Sequence, residues 1–417
     1  MSTKLTSVIA VIALVQAGTA VPAPAGTWTV GPGAGYDYST IQAALDAGTT
    51  VNGDTIYIAP GVYSETLEFN RSWTNLTVRG NADAFGLPST DPTITRVTGG
   101  VKLGSLIAPI DGLTLENLYL QGNQPQNRVI GNVYNHKAVR DFTFRNSVVD
   151  GENFSGRDGI MVDSGGSTEG FGGDLTVDRV EFKDILSYGV MELHDGAQPT
   201  PFDTITFTNN HIHQCNGVVA LRGNDPTHTG SVIVHGNTWE DIGGNQGEVG
   251  WAWAALEINR AANVDIQGNT IRNVNEVEWG GEGQAIQIWD IGPLNIADNT
   301  IEDNFQGIAL LNHPPGTDYD VSAVTIHNNN LCDNQEYALR VGDGLTNGPV
   351  DAENNWWGNA GGPGVGGAND ILGNADYDPW LTEPVTKPVI PEPATMVAVG
   401  LAVVGLGGYV RKRRKHN

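Results

Sequence analysis

Cysteine is scarce in this chain of 417 residues: Cys215 and Cys332 are the only two. No Cys/His spacing matches a zinc site. Basic residues are scarce as well. Lys and Arg number 22 against 47 Asp and Glu, a formal charge of −25, and part of the basic count lies in a short run at 411–415. A field of that sign argues against nucleic acid and anionic membrane surfaces as partners. An acidic polysaccharide would be repelled too, unless a local basic patch or bound cations offset the field. Between the N-terminal apolar segment and a Pro-rich stretch at 382–393 no change of composition marks a second domain.

What is abundant is glycine, 55 residues, and repetition. Nine segments share one pattern of two alternating apolar residues, a polar residue, an Asn-rich turn and further alternation. They are LTLENLYL (113–120), FTFRNSVV (142–149), LTVDRVEF (175–182), ITFTNNHI (205–212), VIVHGNTW (232–239), VDIQGNTI (264–271), LNIADNTI (294–301), VTIHNNNL (324–331) and VDAENNWW (350–357). Their starts are 26 to 33 residues apart, which suits one coil of a solenoid and is too short for a domain. Period-two alternation implies strands with one buried face, and each unit has too few apolar residues to form a core alone. Stacked units would share one. Asn recurs at 210, 237, 269, 299, 329 and 355, which predicts a ladder at a corner where Asn tolerates left-handed backbone and its amide bonds the next coil. The expected fold is all-β: a parallel β-helix of about ten coils.

From about Thr27 to Leu381 the chain resembles the right-handed β-helix proteins of the pectin-lyase-like superfamily. Ser39-Thr-Ile-Gln42 reads as a capping box opening a short helix, with Ile41, Ala44 and Leu45 as its apolar stripe and Gly48 as its stop. Such a helix would cover the first coil. ENNWWGNAGGP (353–363) and DYDPWL (376–381) resemble the segment that closes many bacterial β-helix domains. The fold hosts lyases, hydrolases, epimerases, adhesins and inert spikes, so it names no reaction.

Both ends carry targeting signals. Lys4, the apolar run from Val8 to Ala17 and small residues near Ala20 to Ala25 read as a secretory signal peptide, residues 1–25. At the other end Pro391-Glu392-Pro393 precedes an uncharged stretch from Ala394 to Val410 and the basic run Arg411 to Lys415. Motif, apolar helix and basic tail resemble the PEP-CTERM sorting signal, and that resemblance implies cleavage near the motif by a membrane sorting protease of the exosortase type. An ordinary C-terminal anchor is the alternative. The expected layout is the β-helix domain at 27–381, the linker at 382–393 and a transmembrane sorting helix with its tail at 394–417. The expected location is the cell surface or extracellular matrix of a bacterium. Membrane contact would come only through the C-terminal helix before processing.

The two cysteines fall in coils starting at 205 and 324. Four coils at ~4.8 Å put them ~19 Å apart, beyond the roughly 7 Å that a disulfide spans. Both should be free.

Each coil holds another strand: GIMVDS (159–164), GVMELHD (189–195), GVVALRG (217–223), ALEINR (255–260), AIQIWD (285–290), GIALLNH (307–313) and ALRVGD (338–343). Placing the apolar alternate positions inward turns two columns toward solvent. One is Met161, Glu192, Ala220, Glu257, Gln287; the other is Asp163, His194, Arg222, Asn259, Trp289. Stacked side chains at one strand spacing can share protons and hold one sugar unit. Two long segments, 243–253 and 274–284, bring Trp251, Trp253 and Trp279 beside Trp289, a set suited to the apolar faces of sugar rings. Packing of these Trp on the solenoid is the plainer alternative.

Three chemical readings follow. Tyr188-Gly-Val-Met-Glu192-Leu-His194 is similar to the Tyr-Gly-x-Asp-Pro-His segment of mannuronan epimerases and related lyases, with one extra residue, Glu for Asp and no Pro. That resemblance implies His194 or Tyr188 as base and Arg222 as the cation that absorbs charge on a uronate carboxyl. Alternatively Glu192 and Glu257, two coils and ~9.6 Å apart, would suit an inverting hydrolase. Asp158 in RDGIMVD resembles the Asp-Gly of β-helix glycosidases. The third reading is a non-catalytic envelope or matrix protein with ion pairs along its face. Calcium is a possible cofactor at Asp370, Asp376 and Asp378 or at Asp318 and Asp320, and a monomer is expected.

Overall fold

The computed structural model describes residues 25–386 apart from 105–108, 123–127, 133–138, 156–157, 163–170, 188, 195–201, 223–229, 244–253, 260, 277–282, 290–291, 313–318, 344 and 366–369. Coil follows coil with parallel pairing throughout the two main sheets. One coil runs Ser231–His235, Thr238–Ile242, Ala254–Asn259, and the next Asn263–Gln267, Thr270–Val274, Gln284–Trp289. The first two strands of each coil join a large sheet of 23 strands, and the third joins a second sheet of 11. The expected solenoid is therefore present.

Alternation decides which side chains go inside. Val232, Val234, Val264, Ile266, Leu294 and Ile296 stack inward from successive coils, each at most 4% exposed. Phe182, Phe207 and Trp239 form an internal aromatic stack with centroid separations of 6.2 and 5.8 Å. Full burial of such side chains stabilises by about 1.5–3 kcal/mol each.

The Asn corner divides its work between two adjacent positions, which corrects the expectation of one residue doing both. Positive φ falls on the preceding residue: Asn209, Gly236, Gly268, Asp298, Asn328 and Asn354. The ladder residues Asn210, Asn237, Asn269, Asn299, Asn329 and Asn355 are at most 2% exposed and use their amides. Asn269 Oδ1 accepts from Asn237 N at 2.8 Å and Asn237 Nδ2 at 2.9 Å, while its own Nδ2 donates to Val234 O at 2.8 Å and Asn299 Oδ1 at 2.9 Å. The reason for the split is geometric. A left-handed residue turns the chain, and the next side chain then points into the corner, where it can span two coils.

The helix Ile41–Asp46 caps the first coil and buries Ile41, Ala44 and Leu45. Its N-terminus differs from the expected capping box. Thr40 Oγ1 accepts from Ala43 N at 3.1 Å, and the Glu65 carboxylate accepts from Ile41 N and Gln42 N, both at 2.9 Å. Gln42 instead ties the helix to the next strand, accepting from Glu68 N at 2.8 Å. A carboxylate at a helix start meets both unpaired N–H groups and the positive end of the dipole. At the far end Trp357 is buried, and Leu381 N donates to Asn355 O at 3.0 Å, closing the last coil.

Cys215 and Cys332 are free and buried, as the coil spacing requires. Burial pushes each thiol up to about 12. Thiol titration of the folded, unreduced domain is expected to give two sulfhydryls that react only slowly until the protein is unfolded; a count of none would contradict the coil register.

Candidate functional site

In the second sheet, strands Asp158–Val162, Gly189–His194, Val218–Arg222, Ala254–Asn259 and Gln284–Trp289 lie side by side. Met161 pairs with Glu192, Glu192 with Ala220, Ala220 with Glu257, and Glu257 with Gln287. Two positions along, His194 pairs with Arg222, Arg222 with Asn259, and Asn259 with Trp289. The inward set is as alternation predicts, with Ile160, Met191, Val219, Leu221, Leu256, Ile258, Ile286 and Ile288 all buried. Asp163, Tyr188, Trp251, Trp253 and Trp279 lie outside the described residues, as do the side chains of Glu192, His194 and Arg222. Trp289 is half-buried.

Solvent exposure is where this face departs from expectation. Glu257 and Gln287 were expected to meet water and are 5% and 3% exposed, with Ala220 fully buried beside them. In Ala254–Asn259, Gln284–Trp289 and Gln306–Leu311 all but the last residue is buried. These strands are covered on both faces, the usual condition of parallel sheets, so the outer column is a lined interior. A carboxylate there costs several kcal/mol, by order of magnitude, unless its surroundings compensate the charge, and Glu257 is not without an interaction. Asn259 Oδ1, in the adjoining column, is shielded from solvent and has no hydrogen-bond partner among the described residues. Asp158 is buried at the start of its strand and accepts from Gly189 N at 3.3 Å, a contact that joins two coils.

Among the described residues no three His, Cys, Asp or Glu side chains converge as metal ligands, so Asp370, Asp376 and Asp378 form no such cluster. Asp320 instead caps the short helix Val321–Ala323, accepting from Ser322 N at 2.8 Å, and Asp318 lies outside the described residues.

A further set of charges lies on the large sheet, and no motif pointed to it. Glu116, 4% exposed, sits between Arg79 at 3.2 Å and Arg145 at 2.6 Å. Around the next corner Tyr119 OH donates to Asp150 Oδ2 at 2.6 Å, His213 Nε2 meets Glu181 at 3.0 Å, and His211 Nε2 meets Glu240 at 2.7 Å. The two imidazoles stack at 4.4 Å. The available signal was spacing: Glu181 with Lys183 and His211 with His213 are two apart on strands, so each pair shares a face.

Two of these carboxylates are expected to set an acid limit for the domain. Burial alone would raise Glu181, but its hydrogen bond to His213 and the charges of Lys183 and His213 hold it below the ordinary Glu value. Arg272, followed by His211, lowers Glu240 despite its burial. A lowered folded-state value means that the stabilisation is fully present above the unfolded Glu pKa of about 4.3 and is lost as pH falls through the folded value. Stability measured by urea midpoint is expected to be insensitive to these two groups from pH 8 to about 5 and to fall below about 4. If replacing both with Gln left the acid limb unchanged, that assignment would be wrong.

The chain belongs to the right-handed β-helix region family, whose model matches residues 129–313 and 249–375. Residues 389–414 match the PEP-CTERM protein-sorting motif, which marks the protein for export and display at the cell surface or outside the cell. Among curated proteins no relative matches. Among solved structures, two forms of the pectin methylesterase from Aspergillus niger align at 16% identity, over 71% of this chain and 88% of that one, with a TM-score of 0.35.

Proposed function

We propose that this exported β-helix engages polysaccharide along the outer face of its second sheet, as a monomer, after removal of residues 1–25 and processing near the PEP motif. The observation that carries the reading is the pairing of His194 with Arg222 and of Arg222 with Asn259, next to the column of Glu192 and Glu257. An imidazole and a guanidinium one rung apart suit proton removal beside a uronate carboxyl, with His194 or Tyr188 as base and Arg222 neutralising charge. Asp163 continues the second column by sequence, and Trp251, Trp253, Trp279 and Trp289 would supply ring-stacking surface. Glu192 and Glu257 provide the alternative, carboxylate-based hydrolysis.

A passive matrix or envelope protein is the second reading, favoured by the paired charges on the large sheet and the covered Glu257. The experiment is to incubate the purified domain with a panel of uronans and neutral glycans, following unsaturated products and new reducing ends. Unsaturated ends support lyase chemistry and new saturated reducing ends support hydrolysis. Neither, together with no retention on any glycan of the panel, supports the passive reading.

A further inference from the structure

Three consecutive asparagines at the end of the solenoid carry three different tasks. Asn328 has φ of +58° and turns the chain, and Asn329 is a rung of the buried ladder. Asn330 begins the strand Asn330–Cys332, at the position held in the preceding coils by Thr238, Thr270 and Thr300. Its amide does not join the ladder. Asn330 Oδ1 accepts from Val385 N at 2.8 Å, and Asn330 Nδ2 donates to Val385 O at 3.0 Å. One side chain therefore reads both main-chain groups of a single residue 55 positions later. That residue lies beyond Leu381, whose N–H donates to Asn355 O in the closing coil.

We propose that Asn330 is a docking site for the sorting linker, which it holds against the side of the solenoid and thereby paces C-terminal processing. With the linker docked, six residues, 386–391, separate the held point from the PEP motif, a contour length of at most about 22 Å. Released, the count runs from Thr382, and ten residues, 382–391, reach at most about 36 Å. A membrane enzyme must accept the motif while the rigid acidic body stands beside it, so the shorter tether restricts the approaches available. The recognition is of main chain alone, so it needs only an extended segment at Val385, and Pro384 before it reduces the freedom lost on docking.

The inference rests on the sorting motif and is tested in two arms. Hydrogen exchange on the full chain in detergent reads the latch without any protease: the Val385 amide is expected to exchange at least about tenfold more slowly in the native chain than in Asn330→Ala. Pulse-chase in a host with the sorting protease reads the consequence. Asn330→Ala and Val385→Pro, the second of which removes the donor without touching the solenoid, are each expected to shorten the processing half-time about threefold or more. Equal Val385 exchange in native and Asn330→Ala chains overturns the docking; a smaller shortening, or a lengthening, in both variants overturns the pacing. Glu392→Ala serves as the control for the motif. A native chain that is never processed fails the sorting reading and leaves no pacing role, while the exchange arm still decides the docking.

Discussion

Asn269→Ala is expected to destabilise the domain by about 3–5 kcal/mol, far more than an ordinary surface substitution. The substitution removes four hydrogen bonds at once. Asn237 N and Nδ2 lose their acceptor, Val234 O loses a donor, and Asn299 Oδ1 loses one of its two, keeping that from Asn269 N. Asn237, Asn269 and Asn299 are all at most 1% exposed, so water cannot replace the lost partners without opening the corner. Each buried orphan costs about 1–3 kcal/mol before relaxation, which reduces the sum to the range given. Coils in a solenoid are coupled to their neighbours, so the loss should appear as a shift of the whole urea transition. A shift under about 1 kcal/mol would mean that the core stack holds the coils in register without the ladder.

His194→Ala and Arg222→Ala are each expected to lower any uronan-cleaving activity by about two orders of magnitude or more, the range attributed to a general base or a charge-stabilising group. The fold should be intact in both, because paired strand residues on the outer side of a sheet contribute through register, which Ala preserves. Glu257→Gln separates the two chemistries. It should leave proton abstraction within a few-fold and abolish hydrolysis, since an amide cannot act as a general base. Activity retained in both His194→Ala and Arg222→Ala would remove these residues from the chemistry.

The coil was legible in the sequence because its two determinants are local. Alternation such as Val232 and Val234 sets the buried face, and the Asn corner recurs at nearly constant spacing. Strand register followed from the same alignment, so the neighbours of Glu192, Arg222 and Glu257 could be named in advance. Exposure could not. Whether Glu257 meets water depends on what covers the outer face, and that is a contact between segments with no periodic signature. The Glu65 cap on the helix start and the Asn330 grip on Val385 were hidden for the same reason: each joins residues 24 or 55 positions apart through one side chain. Glu116 between Arg79 and Arg145 needed three coils in register before its two partners could be seen.

The central claim is that glycan is met on the second sheet's outer face. The direct measurement is affinity for whichever glycan of the panel is retained or cleaved, in the native domain, in Trp279→Ala with Trp289→Ala, and in His211→Ala on the large sheet. Loss of two stacking rings at about 0.5–1.5 kcal/mol each predicts a weakening of about fivefold or more for the Trp pair, with His211→Ala within about twofold of native. Unchanged affinity in the Trp pair would contradict the account, and a larger loss in His211→Ala would move the binding surface to the large sheet.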